Sequence, residues 1–166
     1  MNNNLRLRPY KPCDAEKIAT WITSDISFYQ WSAGRMGDAP LTVEKLKNHY
    51  EEYADNADMW VMTCTDENNV PVGQLIMHYA DETRQTVRLG FIVVDPAMRG
   101  KGYGKRMVKL AATYAMVFLA SKSVSLGVFE NNPGARNCYR SIGFREIGES
   151  TYTLMGEEWR CIKMEL

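Results

Sequence analysis

Apolar and polar positions along the chain change period several times, and each change marks an element. Leu5-Arg6-Leu7-Arg8 alternates with period two before Pro9, which predicts a short edge strand. Asp14 stands at an N-cap position, with Ala15, Ile18, Ala19 and Ile22 on one face of the helix it would open. From Ser24 to Pro40 no period survives. Phe28, Tyr29, Trp31 and Met36 are scattered among Asp25, Gly34, Arg35, Gly37 and Asp38, the pattern of a long aromatic loop. Thr42 then caps a second amphipathic stretch, Val43 to Ala54, with Leu46 and Tyr50 on one side.

The middle of the chain reads as strands. Met59 to Cys64 and Val72 to Tyr79 flank the turn-rich Asp66-Glu67-Asn68-Asn69 and predict a hairpin, with Thr86 to Val94 pairing next to it antiparallel. A helical period follows through Met107, Leu110, Ala111, Tyr114 and Phe118. Ser123 to Phe129 is a further strand, made parallel to the previous one by the helical crossover. Pro133 opens a short helix over Gly134 to Ile142. Gly143 to Ile147 and Trp159 to Met164 close the sheet as a last hairpin. No repeat, low-complexity segment or linker interrupts this α/β alternation, so residues 1–166 are expected to form one domain.

Chemistry concentrates at one junction, from Gly90 to Met107. A β-branched run stops at Asp95-Pro96, Gly100, Gly102 and Gly104 alternate with Lys101 and Tyr103, and a helix begins. The first amides of a helix lack internal partners and the helix dipole adds positive potential, so such a junction binds anions. Arg99, Lys101, Lys105 and Arg106 add charge for a phosphate-bearing ligand. A P-loop is excluded because Gly104-Lys105 is followed by Arg106 rather than Ser or Thr. A dinucleotide fingerprint is excluded by the glycine spacing and by the absence of an acidic residue between Asp95 and Glu130.

Composition narrows the setting. Lysine plus arginine balance aspartate plus glutamate, for a formal net charge of zero, which argues against nucleic acid or a membrane surface as partner. The balance hides an asymmetry. Residues 1–80 are acidic, suited to face a cationic substrate, while Arg88 to Lys109 are basic apart from Asp95. Cys13, Cys64, Cys138 and Cys161 form no C-x-x-C pair and, with His49 and His78, offer no metal-ligand spacing, so neither a metal site nor a disulfide framework is expected. Met1-Asn2-Asn3-Asn4 starts no apolar leader and no apolar run reaches membrane-spanning length. A reducing cytoplasm is the expected location.

Arg99-Gly100-Lys101-Gly102-Tyr103-Gly104 after a strand resembles the coenzyme A pyrophosphate loop of the GNAT acetyltransferase superfamily. Asn132-Pro133-Gly134-Ala135-Arg136-Asn137-Cys138-Tyr139-Arg140-Ser141-Ile142-Gly143-Phe144 resembles that family's second motif, in the right order and separation. Within the family the closest likeness is to the branch that acetylates the N-termini of ribosomal proteins. The resemblance implies a mixed, mostly antiparallel sheet with two splayed parallel strands and flanking helices, and acetyl-CoA as cosubstrate. It also implies transfer of acetyl to a primary amine, either a peptide N-terminus or a small amine, by direct attack on the thioester, in a monomer or homodimer. Backbone contacts to the pantetheine arm fall on Ile92, Val93 and Val94, and pyrophosphate contacts on Arg99, Gly100, Lys101, Gly102, Tyr103 and Gly104. Asn132 becomes the coenzyme-contacting asparagine, and Tyr139 the proton donor to the leaving thiolate. The segment from Ser24 to Pro40 becomes the acceptor wall, or simply aromatics folded onto the core.

Two departures stand out. The slot two residues before Gly90, where many relatives carry a carboxylate, holds Arg88, and the slot five residues before Asn132 holds Gly127. Glu130, Asp81 and His78 are the remaining candidates for a base, and His49 is expected at the surface. The competing reading is a module that binds coenzyme A without turnover, with a nucleotide enzyme a distant third.

Overall fold

The computed structural model describes residues 4–166; the N-terminal Met1 to Asn3, on which most of the leader reading rests, lies outside that range. One seven-stranded sheet organises the chain, in the order β1-β2-β3-β4-β5-β7-β6. The strands are β1 (Arg6–Pro9), β2 (Met59–Thr65), β3 (Pro71–Tyr79), β4 (Thr86–Val94), β5 (Ser123–Phe129), β6 (Arg145–Leu154) and β7 (Glu157–Glu165). The helices are α1 (Ala15–Ala19), α2 (Asp25–Ser32), α3 (Val43–Glu51), α4 (Tyr103–Val117) and α5 (Pro133–Ile142). Only β4 and β5 pair in parallel, as the helical crossover through α4 requires. Among the described residues no helix is long and apolar enough to cross a membrane.

Strand alternation sends successive side chains to opposite faces. Leu75, Met77, Val87, Leu89, Val124, Leu126 and Val128 pack with Met107, Val108 and Ala111 of α4. Ile76, Phe91 and Val93 pack on the other face against Ile18, Phe28, Trp31, Leu46 and Tyr50 from α1 to α3. Gly73 lets α4 sit close to the sheet: a Cβ there would stand 2.6 Å from Met107 Sδ.

Three elements differ from the sequence pattern. Asp25–Ser32 is helix rather than loop, capped by Ser24, whose hydroxyl accepts from the Ser27 amide at 3.1 Å. Its buried face holds Ser32 beside Phe28 and Trp31 while Ile26 is exposed, so no apolar stripe marks that face in the sequence. Asp14 makes no side-chain cap on α1. Its carboxylate is buried and accepts from both guanidinium nitrogens of Arg8 at 2.7 and 2.8 Å, from the Lys11 amide at 2.9 Å and from the Thr63 hydroxyl at 2.8 Å. The last hairpin is also longer than its apolar core suggested, because β6 is exposed along almost its whole length and shows no hydrophobic period.

Two irregularities in β4 shape everything functional. Gln74 pairs with Val93 and Ile76 with Gly90, so Phe91 and Ile92 together oppose Leu75. This is a β-bulge, with Phe91 at a positive φ of 49°. Pairing between β4 and β5 also stops after Thr86–Ser123, Val87–Val124 and Arg88–Ser125. Beyond Arg88 the two strands diverge into a fork, the splay that the family resemblance implied.

The Asp14 cluster ties β1 and β2 to the turn before α1. Burial pushes its carboxyl pKa up, but the bonds from Arg8, Lys11 and Thr63 outweigh that and hold it below the ordinary 3.8. A lowered folded pKa contributes stability that is present above the unfolded value and lost as pH falls through the folded one. Asp14→Asn should cost about 2 kcal/mol at pH 7, the scale of a charge-assisted hydrogen bond. In urea titrations the gap to the wild type should close as the pH drops below 4.

Candidate active site

The fork opens into a cleft of about 600 Å³ that runs between β4 and β5 and under the start of α4 and α5. Ile92, Val93 and Val94 line one wall with their backbone, since past Arg88 the β5-facing edge of β4 has no partner strand. The bulge turns consecutive peptide units at Phe91 and Ile92 out of the regular ladder, the local change that re-aims an amide into a site. Arg99, Gly100, Gly102, Gly104 and Lys105 line the end of the cleft where α4 begins.

The glycines there have separate jobs. Gly102 is the N-cap of α4 in the left-handed region, φ 79°, and Gly100 has φ 73°, conformations that only glycine adopts without strain. Gly104 is helical, and a methyl on it would meet Val94 Cγ2 at 3.5 Å, an ordinary contact. Among the described residues the amides of Gly102, Gly104 and Lys105 donate no backbone hydrogen bond, and they sit at the positive end of a fifteen-residue helix. Lys101 and Tyr103, assigned to the same cradle from sequence, do not line the cleft. The Lys101 ammonium turns back to the Ala97 carbonyl at 3.1 Å, and the Tyr103 ring is buried in the core. The loop thus presents its glycines with Arg99 and Lys105 to the cleft and turns Lys101 and Tyr103 away from it.

Asn132 and Tyr139 face the cradle from α5. Asn132 lines the cleft and caps its helix, its Oδ1 accepting from the Ala135 amide at 3.3 Å. Tyr139 is 7% exposed, touches Phe144 edge-on and lines the cleft next to Cys138. Burial, with a smaller push from Cys138, holds its phenol well above the usual range, so it is a protonated donor at any working pH. Cys138 also reaches the cleft, and burial pushes its thiol up as well.

The opposite mouth of the fork is bounded by α2. Ile22, Ser27, Gln30 and Trp31 line the cleft there, so the aromatic segment is wall and core at once. Trp31 packs edge-on against Phe91, the bulge residue, with ring centroids 5.1 Å apart. His49 is half-buried rather than on the surface, bonded to the Tyr53 hydroxyl at 2.9 Å and stacked toward Phe91. Of the three substitute bases, Asp81 caps its own turn through Thr83 beyond the end of β3, at the closed end of the fork. Glu130 is exposed and held by Arg160 at 3.2 Å. His78 is not among the residues lining the cleft either; it stands directly across from Arg88 on the neighbouring strand.

A family model described as "Acetyltransferase (GNAT) family" matches residues 21–144, which span α2, the bulged strand, the glycine cradle and Tyr139. The chain belongs to the GNAT acetyltransferase family. Among curated GNAT-like relatives it is similar to the UPF0039 protein C11D3.02c of Schizosaccharomyces pombe, 32% identical over 97 residues, or 51% of this chain and 63% of that protein. It is also similar to the peptidyl-lysine N-acetyltransferase YjaB of Salmonella typhimurium, 25% identical over 120 residues and 72% of each chain. The chain thus spans less than two thirds of the first of these relatives. A solved spermidine N-acetyltransferase of Vibrio cholerae, in complex with CoA and spermine, matches with a TM-score of 0.82 at 18% identity, covering 98% of this chain and 94% of that one. At that identity the likeness speaks to the GNAT fold.

The electrostatics of this GNAT site yield a direct test. The Tyr79 carbonyl can only accept, so the contact at 2.9 Å fixes a proton on His78 Nδ1 and leaves Nε2 as the lone-pair nitrogen. Burial lowers the His78 pKa from 6.5, the Tyr79 contact opposes, and Arg88 and Arg35 lower it further. An NMR titration should therefore show a neutral, Nδ1-protonated ring at pH 7 with its midpoint below 6.5. Arg88→Met should move that midpoint part of the way back up.

Proposed function

We propose that this chain, read as one catalytic domain over residues 1–166, transfers acetyl from acetyl-CoA to a primary amine by direct attack on the thioester. The observation that carries the reading is the fork. One open strand edge, one bulge and one glycine-lined helix N-terminus share a single cleft with a protonated tyrosine.

Each part answers a demand of the reaction. A pyrophosphate suits the amides of Gly102, Gly104 and Lys105 with Arg99 beside them. The amides of a pantetheine arm suit the unpaired edge of Ile92, Val93 and Val94, in the manner of an added strand. The bulge offers an N–H to the thioester oxygen as charge develops there. Tyr139 donates its proton toward the departing sulfur, whose thiol has a reference pKa near 8.5.

Relatives are named for acetylating peptidyl-lysine or spermidine, so a primary amine is the shared chemistry and the acceptor itself is open. No carboxylate lines the cleft among the described residues. Freeing a lysine-like amine of pKa about 10.4 at pH 7 costs about 4.6 kcal/mol, against about 1.4 for an α-amine near pKa 8. The absent acid therefore favours weakly basic α-amines, the acceptor class that the likeness to the ribosomal-protein branch also suggests. We read the protein as cytoplasmic, a monomer or homodimer, with its four cysteines as free thiols. The same missing acids support the alternative, a coenzyme A-binding module without turnover. Thiol release from acetyl-CoA over a panel of amines and peptides decides between them: release above background supports the transferase, and none, with coenzyme A still bound, supports the module.

Two substitutions test the parts. Gly104→Ala leaves room within the protein but places a methyl where phosphate oxygens would approach, and coenzyme A affinity measured by calorimetry should fall at least tenfold, about 1.4 kcal/mol. Tyr139→Phe should keep that affinity while kcat drops by about 10²-fold or more. A kcat within threefold of the wild type would make Tyr139 packing alone.

A further inference from the structure

The two places where this chain lacks an acid are not simply empty. A Cβ on Gly127 would stand 3.0 Å from Arg88 Nη2 and 3.0 Å from Cys161 Sγ, so the guanidinium of Arg88 lies over the bare backbone of Gly127. It crosses from β4 to β5 just where their pairing ends, since Arg88–Ser125 is the last parallel pair and Gly127 is two residues further along. Leu89, Gly90 and Gly127, its neighbours on both strands, line the cleft. The guanidinium is thus seated in the crotch of the fork.

It has no anion there. Among the described residues Arg88 makes no ion pair; Glu130 is taken by Arg160, and Glu165, at the register position beyond Ser125, does not reach it. Arg35, in the turn after α2, also forms no ion pair among the described residues, although Glu44 and Glu52 line the neighbouring pocket with it, and it bears electrostatically on His78 and Cys161 as Arg88 does. Trp31 lines the same cleft, is 9% exposed, and its Nε1–H is buried with no partner. A half-buried guanidinium and a buried indole N–H beside one cavity ask for acceptor oxygens, and a bidentate carboxylate matches a guanidinium best. The acidic first half of the chain, which suggested a cationic substrate, puts no carboxylate in the cleft lining among the described residues. Asp14 is consumed in the core, Asp58 pairs with Arg84, Asp66 closes its own turn, and Glu44 and Glu52 line the neighbouring pocket with Arg35.

We propose that the acceptor amine also carries a carboxylate, held at the fork by Arg88 with Arg35 adding positive potential, and that polyamines are excluded. This rests on the transferase reading. In it Arg88 is a specificity-determining residue: it binds the acceptor and takes no part in the proton transfers.

The test uses acid and amide partners whose amines are of like basicity: Ala-Ala against Ala-Ala amide, and Glu-Ala amide against Gln-Ala amide, with spermidine as a third arm and acetyl-CoA held constant. In at least one pair the acid should show a kcat/KM tenfold or more above its amide, and above spermidine. Arg88→Met should erase that preference through KM while the acetyl-CoA Kd and the melting temperature stay put, and Arg88→Lys should restore part of it. A merely structural arginine would lower acids and amides alike. Turnover that favours spermidine, or that ignores the carboxylate in both pairs, overturns the inference and leaves the transferase standing. No thiol release above background with any of the amines overturns the transferase reading, and this inference with it.

Discussion

Everything in the active face depends on β4 being unable to stay a regular strand past Arg88. On its β3 side the ladder is broken by two residues opposing one, and on its β5 side the pairing simply ends. A left-handed φ at a phenylalanine costs about 1–2 kcal/mol, so the bulge persists because its surroundings hold it. Phe91 is 8% exposed, with Trp31 edge-on to one side and His49 tilted on another. Those partners come from α2 and α3, which ties the acceptor wall to the strand geometry that would present an amide to the thioester. The same chain of contact explains why α2 must be helix: only a rigid element can brace a strained strand.

The second constraint acts from the other face. Gly73 admits Met107 almost onto the sheet, and this seats the first turns of α4 against β3 and β4. The N-terminus of α4 is therefore held at the open end of the fork. A helix dipole is worth something to an anion only within the first turn, so this depth of packing matters as much as the glycines of the loop. Sheet, bulge and helix start are fixed with respect to one another by apolar contact, and the cleft is what their disagreement in direction leaves between them.

Much of this was legible in the chain. Residues 99–104 and 132–144 could be placed as a glycine loop opening a helix and as a proline-started helix, and their resemblance to two family motifs pointed to the family that the match over residues 21–144 shows. The strands with clean alternation, such as Thr86 to Val94, could be placed almost to the residue. What could not be read was anything set by two elements at once. Asp25–Ser32 buries a serine beside Phe28 and Trp31 and leaves Ile26 exposed, and so shows no period. Asp14 looks like a cap until Arg8 and Thr63 arrive from two strands. Lys101 and Tyr103 look like part of the cradle until the Lys101 ammonium turns back to the Ala97 carbonyl and the Tyr103 ring enters the core. Arg88 and Gly127 were visible as departures, but their contact across the fork was not.

That contact changes what the missing acids mean. A carboxylate in either slot would attract an ammonium and then accept its proton; a guanidinium does neither. Arg88 repels an ammonium by the same charge that would hold a carboxylate. A carboxylate on the acceptor would cancel one such charge as it binds, and Arg35 supplies a second at longer range. The two substitutions are also sterically coupled, because a side chain at Gly127 would displace the Arg88 guanidinium toward Cys161. Restoring an acid at Gly127 alone would therefore build a buried ion pair with Arg88 rather than a free general base, and only a change at both positions would return the fork to carboxylate chemistry.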